Sequence, residues 1–288
     1  MISDFTSGKL KYILYKPSDE PNLSLVVVLH GSGEIGSSLS RLKKREPYIS
    51  LNNEKCKPNA CVMMPQLPKK NWIYWKSTLY KLIFQVARDN KCDTDRIMIT
   101  GHSLGANGTM DFLLAFPHFF SAAAVLSPCK DYGDNVKELV DIPIWFLHGE
   151  KEHNYKKYAQ QMEARLEKFG GKTKITSVTG YGHPIQFCWT SSKYNVLEWL
   201  VNPVIEPTNL GYRDLKKGCK GSDVRELQND LIKIGYSLPK YGADGDYGNE
   251  TTKVVKVFQA DHDLPDDGVM NVGKDFDVLF KALNESKE

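Results

Sequence analysis

Long hydrophobic runs, a large excess of one charge and an ordered set of cysteines are all missing from this sequence of 288 residues. No apolar stretch approaches the ~20 residues that a membrane-spanning helix needs, so we expect no membrane insertion. The formal net charge is only +3, which is too small an excess to indicate a nucleic-acid partner. A hydrophobic content of 41% and a charged content of 25% are typical of a globular protein.

The six cysteines form no Cys-x-x-Cys pair and no regular framework. Cys56 and Cys61 are close enough in sequence to pair, but buried or free thiols are the expected state. The sequence shows no zinc-ligand cluster, phosphate-binding glycine loop or nicotinamide fingerprint, so we expect no cofactor. No signal peptide is visible at the N-terminus. A signal removed before Met1 would leave the same sequence, and the compartment therefore stays open.

Short apolar runs alternate with segments of helical spacing through residues 1–203. Strands are predicted at 10–15, 23–29, 60–64, 97–100, 122–126, 142–149 and 173–178, and helices at 72–90, 107–116, 155–169 and 194–201. The continuous apolar run at 23–29 is typical of a central parallel strand that is buried on both faces. The alternation predicts an α/β domain with a mostly parallel, doubly wound sheet.

The sequence Gly-His-Ser-Leu-Gly at 101–105 lies between an apolar strand and a helical segment. The two glycines allow a turn so tight that a Cβ at either position would clash, and Ser103 itself is expected in a strained conformation. Such a turn lifts the serine hydroxyl clear of the backbone and points the N–H of Leu104 at a developing oxyanion. We therefore predict that Ser103 is a nucleophile.

A serine hydroxyl needs a neighbouring base, which is normally a histidine oriented by a carboxylate. In folds with this serine turn, the chain order is serine, acid, histidine. His183 lies in a glycine-flanked loop after the last predicted strand, where this order places the base. The other histidines after Ser103 are weaker candidates. His118 falls at a helix end, His148 in a strand, His153 in the acidic loop and His262 in the C-terminal region.

The acid is expected in the loop between the strand at 142–149 and the helix at 155–169. Glu150 and Glu152 both fit that place. An aspartate is usual there, but glutamate can do the same work with a longer reach. Asp131 and Asp134, which follow the preceding strand, are weaker candidates, and loop capping is their alternative role.

A glycine-rich loop at 30–36 follows the buried strand at 23–29. Its position at the carboxyl end of a central strand favours an oxyanion loop over an ordinary solvent loop. The expected oxyanion hole combines the N–H of Leu104 with one N–H from the Gly31-Ser32 turn, so that Ser32 is a candidate donor.

Residues 5–201 resemble the α/β-hydrolase superfamily, and most closely its esterase group of feruloyl and acetylxylan esterases, polyhydroxybutyrate-depolymerase-like proteins and predicted peptidases. The shared motifs are those at 29–36, 64–66 with Trp72, 95–97, 101–105, 142–149 and 182–183. In this group an aspartate stands at the position of Glu152, which ranks Glu152 above Glu150 as the acid. The resemblance implies ester hydrolysis through an acyl-serine intermediate, with acyl group and alcohol left open.

Two prolines and little periodicity at 202–208 indicate a linker, assigned to 204–210, between a domain at 1–203 and a helical module at 211–288. The module resembles a small three-helix peptidoglycan-binding domain, through the motifs at 220–228, 244–248, 257–259 and 264–268. The resemblance implies a core that includes Leu227, Leu231, Phe258 and Leu264. A ligand groove near Tyr247, Gln259 and Asp267 is one hypothesis, and a purely structural role for all three is the other.

The favoured interpretation is a serine esterase held at the bacterial cell wall, with peptidoglycan and an ester substrate as its partners. A wall-directed enzyme without a visible signal peptide also fits a phage lysis protein. Two alternatives stay open: a non-catalytic wall-binding protein with a degenerate hydrolase domain, and a serine peptidase or amidase with the same triad.

Overall fold

The computed structural model describes residues 1–203, 210–211, 214–219 and 221–285. The chain divides into two compact units, Met1–Ile205 and Glu206–Glu288. The predicted linker at 204–210 falls almost entirely on residues outside this description. The two units are therefore described one at a time.

Within the described part of the first unit, eight strands form one sheet in the order β1-β2-β4-β3-β5-β6-β7-β8. β1 and β2 pair antiparallel, as do β2 and β4, whereas all other neighbouring strands are parallel. The strands are β1 (Ile2–Ser7), β2 (Leu10–Tyr15), β3 (Ser24–Leu29), β4 (Ala60–Gln66), β5 (Ile97–His102), β6 (Ala122–Leu126), β7 (Ile144–Gly149) and β8 (Thr173–Val178). The mostly parallel sheet expected from the sequence is confirmed.

Helices cover both faces of this sheet. One face packs against α2 (Lys76–Asp89), α3 (Leu104–Ala115) and α4 (Asn154–Lys168), and the other against α1 (Tyr48–Asn52) and α5 (Val196–Val201). All six residues of β3 are buried, and its side chains alternate between the two hydrophobic clusters. This double burial explains why the strand has an uninterrupted apolar sequence.

The structure differs from the sequence prediction at the edge of the sheet and at two helix starts. β1 was not predicted, because its sequence Ile-Ser-Asp-Phe-Thr-Ser is polar and only partly buried, as is usual for an edge strand. α3 begins at Leu104, directly after the serine, and not at residue 107. The predicted helix at 72–90 begins as a 3-10 turn at Trp72–Trp75 and continues as α2.

The parallel strands bring several loops together at one edge of the sheet. β3, β5, β6, β7 and β8 all point the same way, so the loops that follow them meet at the carboxyl ends of the strands. In open α/β sheets this edge is where ligands bind. Ser103, Glu152 and His183 lie in three of these loops.

Among its described residues, the second unit has three helices, which are α6 (Ser222–Lys233), α7 (Asn249–Asp261) and α8 (Lys274–Glu285). Their apolar faces enclose a small core in which Leu227, Leu231 and Phe258 are fully buried and Leu264 is partly buried. This matches the core that the family resemblance implied.

A buried glutamine holds a tight turn in this unit. Gln228 on α6 donates from Nε2 to Asp244 Oδ1 at 3.0 Å and to the carbonyl oxygen of Asp246 at 3.1 Å. Its Oε1 accepts the N–H of Gly245 at 2.8 Å. Gly245 has φ of +77°, a backbone conformation that favours glycine. The glutamine side chain therefore stabilises the Asp-Gly turn from inside the core.

All six cysteines are free thiols. In the part of the chain that the structure describes, no helix is both long and apolar enough to cross a membrane. The same residues contain no group of three or more histidine, cysteine, aspartate or glutamate side chains that could hold a metal ion.

Candidate active site

Ser103 lies in a strained turn between β5 and α3, with φ of 56° and ψ of −116°. A Cβ at Gly101 would lie 2.2 Å from the carbonyl oxygen of Gly105, and a Cβ at Gly105 would lie 2.0 Å from the carbonyl oxygen of Leu29. No side chain fits at either position, because real Cβ contacts are never that short. The two glycines are thus what lets the serine turn pack against the end of β3.

A continuous hydrogen-bonded chain joins Ser103, His183 and Glu152. Nε2 of His183 lies 2.9 Å from Ser103 Oγ, and Nδ1 of the same ring lies 2.6 Å from Glu152 Oε1. The carboxylate fixes the proton on Nδ1, so Nε2 is left to accept from the serine hydroxyl. His183 is about one-third exposed, whereas the Glu152 side chain is 3% exposed.

The other oxygen of the Glu152 carboxylate is also fully engaged. Oε2 accepts the N–H of Gly149 at 2.6 Å and the hydroxyl of Ser127 at 2.8 Å. Burial by itself would raise the pKa of Glu152, but the hydrogen bonds from His183, Gly149 and Ser127 together hold it below its ordinary value. Glu152 is therefore an ionised, buried partner for His183.

The loops that carry the base and the acid lie against each other. A Cβ at Gly149 would lie 2.2 Å from the carbonyl oxygen of Gly182, so the backbones after β7 and β8 touch. The ring of Tyr155 stacks on that of His183 with 4.3 Å between ring centroids. These contacts leave the imidazole little freedom to rotate away from the serine.

His102, the residue before the serine, also holds the base in position. Its ring is 3% exposed, and Nε2 donates to the carbonyl oxygen of His183 at 2.8 Å. Burial, with the nearby His183 charge, lowers the pKa of His102 to about 4, so the ring is neutral at pH 7. Neither this role nor that of Ser127 was predicted, since neither residue can be linked to His183 or Glu152 without the three-dimensional fold.

The candidate oxyanion donors come from two elements that touch at the serine turn. Leu104 is the first residue of α3, and its N–H has no partner within the helix because the first turn leaves such groups unpaired. The turn at Gly31 and Ser32 lies alongside, since a Cβ at Gly31 would be 3.5 Å from the carbonyl oxygen of His102. Ser32 is exposed and is the first residue of a 3-10 helix, so its N–H has no partner within that helix.

Buried polar contacts fix the loop that carries Gly31 and Ser32. His30 accepts the N–H of Leu67 at Nε2 over 2.9 Å, and its Nδ1 donates to the carbonyl oxygen of Gly31 at 2.7 Å. Trp72 donates from Nε1 to the carbonyl oxygen of His30 at 3.1 Å. Burial lowers the pKa of His30 to about 4. A neutral imidazole therefore joins the loop to the end of β4.

A thiol forms part of the wall of the site. Cys129 Sγ lies 3.7 Å from Ser103 Oγ, and its backbone N–H donates to Asn107 Oδ1 at 2.8 Å. Burial raises the pKa of Cys129, so this side chain is a neutral thiol. It limits the space on one side of the serine hydroxyl.

The competing acids predicted from the sequence make other contacts. Glu150 accepts the N–H of Gly180 at 2.7 Å on the surface. Asp131 and Asp134 form ion pairs with Arg165 at 2.9 and 3.0 Å. Among the acids considered, Glu152 is thus the one that contacts His183. Of the competing histidines, His118 and His153 are exposed, and His148 is buried within β7.

The candidate wall-binding residues of the second unit are mostly interior. Tyr247 and Gln259 are both 0% exposed. The hydroxyl of Tyr247 donates to the carbonyl oxygen of Gly268 at 3.0 Å. Gln259 repeats the arrangement of Gln228, since it donates to Asp267 Oδ1 at 3.0 Å and accepts the N–H of Gly268 at 2.9 Å. These contacts favour the structural alternative for all three residues, although Asp267 is exposed.

Comparison of the sequence with known families gives a match for the second unit. The family described as "Putative peptidoglycan binding domain" matches residues 220–272. A segment of 55 residues is 54% identical to part of the N-acetylmuramoyl-L-alanine amidase CwlL of Bacillus licheniformis. That segment is 19% of this chain and 15% of the amidase, so the similarity extends to a small part of either protein.

Comparison with solved structures gives matches for the first unit. A thermostable esterase aligns with 69% of this chain and 62% of its own, with a TM-score of 0.53 and 23% identity. An acetyl xylan esterase from Aspergillus awamori aligns with 69% of this chain and 98% of its own, with a TM-score of 0.52 and 14% identity. The first unit thus has the α/β-hydrolase fold of these esterases, and the chain joins that fold to a peptidoglycan-binding-like module.

Proposed function

We propose that this protein is a serine esterase that its second unit brings to the bacterial cell wall. The observation that carries the proposal is the hydrogen-bonded chain from Glu152 through His183 to Ser103, with distances of 2.6 and 2.9 Å. Those lengths are within the range in which a histidine can take a proton from a serine. The α/β-hydrolase fold of known esterases supports the same reaction class.

In the proposed reaction, Ser103 Oγ attacks the ester carbonyl while Nε2 of His183 takes its proton. The negative charge that develops on the carbonyl oxygen is stabilised by the N–H of Leu104 and one N–H of the Gly31-Ser32 turn. His183 then gives the proton to the departing alcohol, which leaves an acyl-serine. A water molecule, activated by the same imidazole, attacks the acyl group and regenerates the serine.

Glu152 takes the orienting role in this scheme. Its carboxylate holds the Nδ1–H of His183 and stabilises the imidazolium that forms during each proton transfer. A pKa below the ordinary value keeps Glu152 ionised in the pH range where a neutral histidine is available. The position of Glu152 thus favours an active triad over a degenerate site, because the glutamate contacts the histidine as the usual aspartate would.

The peptidoglycan-binding family match supports delivery to the cell wall. An enzyme joined to a wall-binding module works at a raised local concentration of wall-linked substrate. The proposed substrates are therefore esters on wall glycans or on polymers attached to the wall. A role in phage lysis is one biological setting that this combination would fit.

Two linked measurements test the esterase proposal. An active-site fluorophosphonate should label wild-type protein at Ser103 and should not label Ser103→Ala. The same two proteins, assayed on short-chain esters, aryl esters, acetylated glycans and peptides, should differ in ester hydrolysis. Equal hydrolysis by both proteins, or labelling at another residue, would contradict a Ser103 mechanism, and cleavage of peptides alone would favour the peptidase alternative.

A further inference from the structure

A groove of about 630 Å³ lies beside the N-terminus of α7. Its sides come from the connection between α6 and α7 and from the first turns of α7, and its lining includes Tyr241, Asn249, two lysines and the carboxylates of Asp244, Asp246 and Glu250. This volume is within the ~300–1,000 Å³ that small-ligand sites occupy. We propose that this groove binds an N-acetylated amino sugar of the glycan strand, an inference that rests on the proposed wall-binding role.

Tyr241 provides the aromatic surface of the groove. The side chain is 59% exposed, and Lys240 Nζ lies 4.7 Å from the centroid of its ring. A lysine on one face of the ring leaves the opposite face for the apolar side of a sugar. Tyrosine suits such a contact because its ring is apolar while its hydroxyl can face water.

A carboxylate from α7 holds this tyrosine in place. Glu250 accepts the backbone N–H of Lys240 at Oε1 over 2.9 Å and that of Tyr241 at Oε2 over 3.0 Å. Both oxygens of one side chain thus fix two successive residues of the loop. Because the backbone under the ring is already fixed, a ligand that stacks on Tyr241 has only the side-chain torsions to order.

Two polar side chains of α7 extend the same surface. Asn249 and Lys253 are both exposed, and they line the groove with Tyr241. Neither forms a hydrogen bond or ion pair through its side chain with another residue in the described part of the chain. An amide and an ammonium group match the acetamido oxygen of an amino sugar and a carboxylate attached to it.

The internal repeat of this unit shows that the groove is not required by the fold. Gln228 contacts Asp244 across a separation of 16 residues, whereas the equivalent Gln259 contacts Asp267 across only 8. The second half thus closes the same Asp-Gly turn with a connection half as long. The extra length in the first half supplies Lys240 and Tyr241, so these residues are available for binding.

The test measures binding of full-length Ser103→Ala, which cannot turn over an ester, to purified peptidoglycan. Adding Tyr241→Ala should weaken binding about tenfold or more, because truncation of a central aromatic contact has effects of that size. Tyr241→Phe should retain binding, since the ring stays. Tyr74→Ala is the matched control, because Tyr74 is 57% exposed and lies in the first unit.

Competition with soluble fragments identifies the ligand. The disaccharide of N-acetylglucosamine and N-acetylmuramic acid should displace the protein from peptidoglycan, and Lys253→Ala should weaken that competition. Binding by Tyr241→Ala equal to that of the control, with an unchanged melting temperature, would overturn the groove assignment. Displacement by the free stem peptide but not by the disaccharide would overturn the sugar assignment. Failure of the parent protein to bind peptidoglycan would instead refute the proposed wall-binding function.

Discussion

Replacement of Glu152 by glutamine should abolish most activity, although it changes only one oxygen into an NH₂ group. The hydrogen bonds of the carboxylate dictate how the amide would lie. Gly149 N–H and the Ser127 hydroxyl both donate to Oε2, at 2.6 and 2.8 Å, so the amide oxygen must occupy that position. The NH₂ group then faces Nδ1 of His183, where the carboxylate oxygen was 2.6 Å away.

This orientation reverses the tautomer of the base. Nδ1 would have to accept a hydrogen bond from the amide, so the ring proton moves to Nε2 and points at Ser103 Oγ. The serine then has no acceptor for its proton. In serine proteases the same carboxyl-to-amide change lowers kcat about 10⁴-fold, and we expect a loss of about 10³ to 10⁴ here.

The assay is kcat and KM on a soluble p-nitrophenyl ester, with melting temperature measured on the same samples. Glu150→Gln is the matched control, because Glu150 lies on the surface and accepts the N–H of Gly180 rather than contacting His183. Its activity should stay within about twofold of wild type. Glu152→Asp keeps the charge and should lose less than the glutamine variant. A folded Glu152→Gln protein with more than a tenth of wild-type kcat would refute the tautomer argument.

Three further predictions concern stability and domain roles. Burial lowers the pKa of His102 and His30 from 6.5 to about 4. Between these two pH values the unfolded chain therefore binds protons that the folded protein does not. The free energy of unfolding should therefore fall as pH drops from 6.5 to 4, by about 3 kcal/mol per histidine. Measured by urea denaturation, the free energy of unfolding of His102→Gln should fall less between pH 6.5 and 4 than that of wild type. An unchanged pH dependence would contradict this prediction. Gly105→Ala should destabilise by several kcal/mol, about 3 or more, because its Cβ would meet Leu29. A Cβ at Gly33 would meet no atom within 4 Å, so Gly33→Ala should have the melting temperature of wild type. Equal melting temperatures for the two variants would refute the packing argument. A fragment of residues 1–203 should turn over a soluble ester like the full chain but should not be retained on peptidoglycan in pull-downs. An insoluble fragment would contradict the division into separately folded units.

Local chemistry was enough to predict most elements of the first unit in their order, though not β1 or the short α1, and to name the catalytic candidates. The apolar run of β3 and the glycines around Ser103 have physical requirements that the sequence displays directly. The supporting residues could not be found this way. His102 contacts the backbone of a residue 81 positions later, and Ser127 contacts Glu152 across 25 positions. Such pairs exist only because parallel strands place distant loops side by side.

In the second unit, the contacts of the motif residues favour the structural alternative over the ligand-groove hypothesis. Tyr247 and Gln259 belong to the most recognisable part of the motif, and both are buried. Their contacts with Gly268, like that of Gln228 with Gly245, favour a structural role at the Asp-Gly turns. Tyr241 lies in the extra length of the connection in the first half of the repeat, which the second half lacks, and we therefore propose it as a ligand contact.

The two units also differ in how closely function is tied to stability. In the first unit, Gly101, Gly105 and Gly149 each stand where a Cβ would overlap a backbone oxygen. The same close approaches create the serine turn and join the acid loop to the base loop, so substitutions there must damage folding and catalysis together. In the second unit, Tyr241 and Lys253 lie on the surface and outside the core. Substitutions in the groove should therefore alter the proposed wall binding without loss of stability, whereas substitutions at the glycines of the candidate active site should also destabilise the fold.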